Sequence, residues 1–298
     1  MSRALHLIQP RRAARSAAVV DKIAIVGLSR VGASLALAAR EVWPSALVIG
    51  VDTHEVLERA QLRHAVDLGS PDLGIAAEAG LVVLAHDERQ NLKILAELPH
   101  HVGGAAIVTD TGSTKAAIVE AARALPRRFT FVGGHPLIEP REGGVDAASA
   151  DLIVGCPWVL IPPDPPNDEA FDRLWAVATG LGAAPASLTA AEHDRLVALL
   201  SHLPIMTVAA VLGEIDREIG PDDLRFMDPL VTSLVRLTAP VPERWSAVCA
   251  TNAGPLNTAL TDLITSLQNL RAHLSDDGWL RQFVARAAGV HHNIPPPA

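Results

Sequence analysis

The chain has no tyrosine, and aromatic residues make up only 3% of its 298 positions. Few rings remain on which the bases of a single-stranded nucleic acid could stack. Lysine is nearly as scarce, with Lys22, Lys93 and Lys115 the only three. The 25 basic residues are outnumbered by 33 acidic ones, giving a formal charge of −8. That balance suits neither a phosphate backbone nor an anionic lipid surface, so no nucleic-acid partner is expected. No uninterrupted apolar run reaches the roughly 18 residues of a membrane span, so no membrane partner is expected either. Cysteine is limited to Cys156 and Cys249, far apart and outside any CxxC or Cys/His cluster. Two buried free thiols in a reducing, cytoplasmic setting are the simpler reading, and a disulfide is the other. No His/Cys/Asp spacing matches a metal site.

What is present is a globular composition, 49% hydrophobic and 19% charged, long enough for one or two domains. Residues 1–21 form a basic extension carrying Arg3, Arg11, Arg12 and Arg15, without the long apolar segment of a secretory signal. Over residues 22–188, short β-rich runs alternate with amphipathic stretches. The runs are Ile23–Gly27, Ala46–Val51, Leu81–Ala85, Ala105–Thr109, Phe129–Gly133 and Trp158–Ile161. Most are continuously apolar, as strands covered by helices on both faces must be. This pattern predicts an α/β domain built on a Rossmann-type, doubly wound parallel sheet. The Pro-rich stretch 162–168 reads as a turn before one more helix and strand. Over residues 189–298 the strand signals stop, which predicts an all-helical second domain. Thr189 and Glu192 have capping-box spacing, and Leu196, Leu199, Leu200 and Leu203 follow at helical period. Leu260, Leu263, Leu267, Leu270 and Leu274 alternate at three- and four-residue steps, either a bundle core or a dimer seam.

Three strand ends carry chemistry. The first is Gly27-Leu28-Ser29-Arg30-Val31-Gly32, a GxGxxG-type dinucleotide loop with Ser29 in the second glycine's place. The helix that follows offers N–H groups and a partial positive charge to a pyrophosphate. Ser29 puts a Cβ where backbone should approach phosphate. Asp52, ending the second strand, can hold ribose hydroxyls and would repel a 2′-phosphate, which favours NAD over NADP. Ala85 and Thr111, at the ends of two further strands, complete the cofactor-binding candidates. The second cluster is Asp110-Thr111-Gly112-Ser113-Thr114-Lys115. Carboxyl ends of parallel strands face the ligand crevice, although Ser113 could equally be a plain helix cap. The third is Gly133-Gly134-His135-Pro136, a loop histidine that is either solvated or a base near neutral pH. On the helical side, Arg195 and His202 are seven apart and would share a helix face beside the leucines. Glu192, His193 and Asp194 read as charged first-turn residues.

Together these blocks resemble the prephenate/arogenate dehydrogenases of tyrosine biosynthesis. The resemblance rests on the loop at 27–34, DTGSTK at 110–115, GGHP at 133–136, CPWVLIP at 156–162, EHDRLVALLSHLP at 192–204, and Arg236 with Trp245 beyond. It implies an NAD-binding α/β domain followed by a helical dimerisation domain, hence a homodimer acting on a small-molecule substrate. The implied reaction is an oxidative decarboxylation: hydride goes to the nicotinamide, the 4-hydroxyl proton to a base, and the ring carboxylate leaves as carbon dioxide. In that scheme His135 is the base and Ser113 orients it. Arg236 holds the ring carboxylate through bidentate bonds, His202 lines the pocket, and Lys115 and Arg141 complete the substrate contacts. Activity should then fall below about pH 6.5 as the histidine takes up a proton.

The chain departs from the family pattern in two places. His135-Pro-Leu-Ile-Glu139-Pro140-Arg141 stands where members carry HPMAG and, shortly after, an acid, so Arg141 puts a cation where an anion is usual. A cation there favours a keto-acid side chain over an ammonium one, that is, prephenate over arogenate. Ala85-His86-Asp87-Glu88 is also more charged than the family's usual apolar or Pro-containing turn. Two alternatives use a modified cyclohexadienyl substrate or a cofactor-sensing protein that has lost the chemistry. A β-hydroxyacid dehydrogenase would need a lysine on the helical side, and this chain has none there.

Overall fold

The computed structural model describes residues 20–138, 143–229, 231–232 and 242–291. Arg141 and Arg236, with Glu139 and Pro140, lie outside the described residues, as does all but the end of the basic extension. The first domain holds six parallel strands: β1 (Lys22–Val26), β2 (Leu47–Val51), β3 (Leu68–Ser70), β4 (Leu81–Leu84), β5 (Ala106–Asp110) and β6 (Phe129–Phe131). Their spatial order is β3-β2-β1-β4-β5-β6. That is the doubly wound Rossmann order, with its switch point between β1 and β4. Helices α1 (Arg30–Val42), α2 (His54–Leu62), α3 (Glu88–His101) and α4 (Ala116–Ala122) make the crossovers.

The central strands are continuously apolar because they feed two cores. Ile23 and Ile25 of β1, with Leu81 and Val83 of β4, pack into one hydrophobic cluster. Ala24, Val26, Val82 and Leu84 face the other way into a second. Alternate side chains point to opposite faces, so both faces demand apolar residues.

The run expected as one strand over Phe129–Gly133 is divided. It breaks after β6, and β7 (Gly133–Pro136) turns into a separate three-stranded sheet with β8 (Pro157–Ile161) and β9 (Ala184–Ser187). β7 pairs antiparallel with β8, placing His135 opposite Val159. Two expectations are corrected here: the histidine stands in a strand and not a loop, and the 158–161 run lies outside the main sheet. The cause is a close approach. A Cβ on Gly134 would lie 2.5 Å from the Asp110 carbonyl oxygen and 2.8 Å from the Thr109 hydroxyl. Only glycine lets β7 cross the end of β5 at this distance. After the Pro-rich turn, α5 (Asp168–Gly180) is capped by Asn167 and leads into β9.

The helical part begins at Thr189, whose hydroxyl and Glu192 form the reciprocal capping box. Helix α6 (Ala190–Val197) passes through a π turn at Ala198–His202 into α7 (Leu203–Glu218). Pro204 lacks the N–H that a regular α-helical ladder would use there, and the wider turn accommodates the break. The extra residue rotates the helix, so Arg195 is exposed while His202 is 1% exposed, and the two do not share a face. His193, Asp194, Val197 and Ala198 point inward, whereas Leu199 and Leu200 point out, 41% and 76% exposed. The leucine stripe is thus split: Leu196 packs on the Val159–Ile161–Leu188 core cluster, and Leu199 and Leu200 face away from it.

Residues 190–218 also correct the expectation about membrane length. This helix is long and apolar enough by composition to cross a membrane, with a mean hydropathy of 2.0 over its best window. Ser201, His202 and Thr207 interrupt the run residue by residue, yet its best window still averages 2.0. Further α-helices among the described residues include α8 (Pro242–Thr251), α9 (Ala253–Ala272) and α10 (Asp277–His291). On α9, Ile264 and Leu267 are half exposed, at 53% and 50%.

Candidate active site

A cleft of about 410 Å³ opens at the carboxyl ends of β1, β4 and β5, lined by Ser29, Val31, Ala85, Glu88, Thr111 and Ser113 among others, with Ala247 of α8 on the helical side. Its floor is the dinucleotide loop. Gly27 has a φ of +99°, a conformation that favours glycine. A Cβ on Gly32 would sit 2.0 Å from the Gly27 carbonyl oxygen, so the first turn of α1 rests directly on the loop. Asp52 is held at the end of β2 by the amides of Leu28 (2.6 Å) and Thr53 (2.7 Å). Ser29 caps α1: its hydroxyl accepts from Gly32 N–H at 3.3 Å and donates to the Ala85 carbonyl at 3.0 Å. The residue in the second glycine's place is therefore a strut between the first and fourth strand ends. A tight glycine turn, a helix N-terminus and an acid at the second strand fit an adenine dinucleotide.

Beside the cleft lies a relay of buried polar groups. Asp194, 2% exposed, accepts the backbone N–H of Lys115 (2.7 Å) and Ala116 (2.8 Å) at the start of α4. Its Oδ1 lies 2.8 Å from Nδ1 of His193, whose Nε2 lies 2.8 Å from Nδ1 of His135. A carboxylate can only accept, so His193 donates from Nδ1 and accepts at Nε2, and His135 donates from Nδ1. The lone pair of the His135 ring is thereby assigned to Nε2. Burial pulls the His193 pKa down, against the opposing hydrogen bond to Asp194, and favours the neutral ring.

Lys115 is not on the cleft. Its side chain is wholly buried, and its ammonium is paired with Asp110 and donates to the Gly134 carbonyl at 2.8 Å. This corrects its reading as a substrate contact: the lysine ties the β5 end to the histidine strand. Burial pushes the Asp110 carboxyl up, against the pull of that ammonium and of the Gly134 and Gly112 amides. Ser113 lines the cleft, but its amide donates to Glu88 at 2.7 Å and its hydroxyl makes no hydrogen bond among the described residues.

His202 is buried on the π turn, with Nδ1 3.1 Å from Asn252 Nδ2, which also donates to the Asp194 carbonyl at 2.9 Å. Accepting at Nδ1 leaves the His202 proton on Nε2. Burial lowers the His202 pKa to about 4. Trp245 meets this ring edge-on at 6.0 Å between centroids, and the Trp245 indole N–H is buried with no partner among the described residues. The structure thus brings Ser113 and the cofactor-loop residues onto one strand-end crevice, with His135, His202 and Trp245 beside it and Lys115 buried behind it. His193, Asp194, Asp110, Asn252 and Glu88 were not singled out from sequence. The one available signal was two titratable residues directly after the capping-box glutamate.

The chain matches two family models: "Prephenate dehydrogenase, nucleotide-binding domain" over residues 35–186 and "Prephenate dehydrogenase, dimerization domain" over residues 189–285. It is 27% identical to the prephenate dehydrogenase of Bacillus subtilis (strain 168) over 263 residues, 86% of this chain and 71% of that protein. Among solved structures, the arogenate dehydrogenase of Synechocystis superposes with a TM-score of 0.79 at 31% identity, over 91% of this chain and 99% of that one. The fold is also that of the A. aeolicus prephenate dehydrogenase solved with hydroxyphenyl propionate and NAD+, at a TM-score of 0.87 and 22% identity, over 94% of this chain and all of that one (100%).

Proposed function

The chain belongs to the prephenate dehydrogenase family, and from that premise we propose that His135 is the base of its reaction and Asp194–His193 the device that holds it basic. The reaction is the NAD-dependent oxidative decarboxylation of a cyclohexadienyl substrate in aromatic amino-acid biosynthesis, prephenate giving 4-hydroxyphenylpyruvate or arogenate giving tyrosine. The observation that carries the proposal is the Asp194–His193–His135 chain, beside a crevice floored by a dinucleotide loop.

Bound NAD supplies the hydride acceptor. Gly27–Gly32 and Asp52 would hold it, the N-terminus of α1 offering N–H groups to a pyrophosphate and Asp52 an acceptor to the adenosine ribose that would repel a 2′-phosphate. His135 Nε2 takes the 4-hydroxyl proton as hydride leaves the same carbon, and Ser113 orients the hydroxyl. Arg236 receives the ring carboxylate that departs as carbon dioxide. His202 and the Trp245 N–H wall the pocket from the helical side without adding charge. Aromatisation drives the chemistry, so what the protein contributes is mainly position and a ready proton acceptor.

Arg141 makes prephenate the preferred substrate of this chain, because a cation suits a keto-acid side chain better than an ammonium one. Absorbance of reduced nicotinamide, followed with NAD and either prephenate or arogenate, should show turnover favouring prephenate. Arg141→Glu should move that preference toward arogenate by about tenfold, the effect of one local charge reversal. Turnover with neither substrate despite NAD binding would instead favour a modified ring or the sensing role.

Outward apolar residues of the π turn and α9 support a homodimer. Leu199, Leu200, Ile264 and Leu267 present apolar surface that the single chain leaves in water. The apolar character of residues 190–218, only 17% buried over the most hydropathic window, then belongs to a subunit interface rather than to a bilayer. Sedimentation equilibrium should return twice the chain mass, and a monomer at micromolar concentration would overturn this. A cytoplasmic location goes with the same reading, supported by Cys156 and Cys249 both being free.

A further inference from the structure

Glu88 is 7% exposed and lines the cofactor cleft. It opens α3, directly after the Asp87 cap, so the helix N-terminus favours its negative charge. One carboxylate oxygen, Oε1, is fixed by the Ser113 amide at 2.7 Å. The other, Oε2, has no hydrogen-bond partner among the described residues, and the residue lines the cleft. The neighbouring charges are engaged elsewhere: Asp110 is paired with Lys115, and the Arg89 guanidinium reaches Ser246 of α8 at 3.3 Å. Among the described residues, Glu88 is thus a buried charge with no counter-ion. Burial of a charge is costly unless something arrives to pair with it.

Its place in the cleft says what arrives. Asp52, at the end of β2, marks the adenosine side, and the Gly27–Gly32 turn marks the pyrophosphate. Glu88 lies on the opposite side, bonded to Ser113 and 3.7 Å from where a Gly112 Cβ would be, next to the β5 end whose Asp110 accepts the Gly134 amide of the strand that carries His135. That is the reacting end. A nicotinamide ring is cationic when oxidised and neutral when reduced, and its carboxamide N–H groups can donate to a carboxylate in both states.

We propose that Glu88 sets the redox-state preference of the cofactor site, binding the oxidised, cationic nicotinamide more tightly than the reduced, neutral one. The preference favours loading of the oxidant and release of the reduced product. This inference rests on the reading of the cleft as an NAD site. It adds a residue whose negative charge, and not only its shape, is used.

The test compares dissociation constants of NAD+, NADH and ADP-ribose for the wild-type full chain and for Glu88→Gln, by calorimetry and by nucleotide and tryptophan fluorescence. Glutamine keeps an oxygen for the Ser113 amide but removes the charge. The expected result is about a tenfold fall in NAD+ affinity relative to NADH, with ADP-ribose unchanged. Glu88→Asp, which keeps the charge, should retain the oxidised preference, and it remains informative if the glutamine variant does not fold. Equal weakening of NAD+ and NADH, or of ADP-ribose as well, would reduce Glu88 to a strut for the Ser113 loop and overturn the proposal. An unchanged ratio would overturn it too. Failure of the wild type to bind any of the three nucleotides would instead refute the NAD-site reading itself.

Discussion

Replacing His135 by asparagine should lower kcat by about three orders of magnitude and leave the dissociation constant for NAD+ unchanged. The size is that of losing a positioned general base, which contributes about 10²–10⁴ in rate. The change is gentle on the fold. His135 is only half buried, its backbone is fixed by pairing with β8, and an asparagine amide can still donate toward His193 Nε2. The cofactor loop is a separate structure on β1 and α1, so NAD+ binding should survive. The pH profile supplies a second readout. Wild-type kcat should fall toward acid pH, because a base must be deprotonated to act and protonation removes it. His202 cannot produce that limb, since burial lowers its pKa to about 4, and burial moves His193 in the same downward direction. The limb should therefore vanish in His135→Asn and leave a low, flat rate. A variant with wild-type kcat, or one that keeps the limb, would take the base role away from His135.

The sequence makes the main sheet legible for a physical reason. Strands covered on both faces show as unbroken apolar runs, and the alternate residues of β1 and β4 do divide between two cores. The dinucleotide loop is legible because its glycines answer to steric demands that no other residue meets. The small second sheet is not. Gly133-Gly134-His135-Pro136 has no strand propensity, and it is a strand because β8 pairs with it and β5 lies close beneath it. The π turn is similarly hidden. Pro204 hints at a break, but where the extra residue goes is settled by which side chains must face inward. Lys115 shows the reverse error. Its block faces the crevice, yet the ammonium turns back to Asp110 and Gly134, because a buried carboxylate at a strand end needs a cation more than the cleft does. His193 and Asp194 look like ordinary first-turn residues, since the N–H groups that hold Asp194 lie at the start of α4, nearly 80 positions earlier (79 and 78).

Those same N–H groups make Asp194→Asn the second large effect: kcat should fall by about 10³, and the protein should lose about 2–4 kcal/mol of stability. Asp194 receives three donors, the amides of Lys115 and Ala116 and the Nδ1–H of His193. An asparagine has one oxygen, and its NH2 must face one or more of those donors. The carboxylate divides these donors, Oδ1 taking the Lys115 amide and His193 Nδ1–H and Oδ2 the Ala116 amide, so with the asparagine oxygen at the Ala116 amide the NH2 faces His193 and requires Nδ1 to accept. His193 then carries its proton on Nε2 and donates to His135 Nδ1. That places the His135 proton on Nε2, where the lone pair has to be. The base is present and correctly placed, but in the wrong tautomer. The stability loss alone would be shared by any substitution that frees the α4 N-terminus, so the decisive readouts are others. Nitrogen chemical shifts of the two histidine rings should exchange their protonated positions. In the His135→Asn background, Asp194→Asn should cost no further activity, because both changes disable one unit. Additive losses, or unchanged tautomers with only a lower melting temperature, would make Asp194 a structural anchor for α4 and leave His135 to act without it.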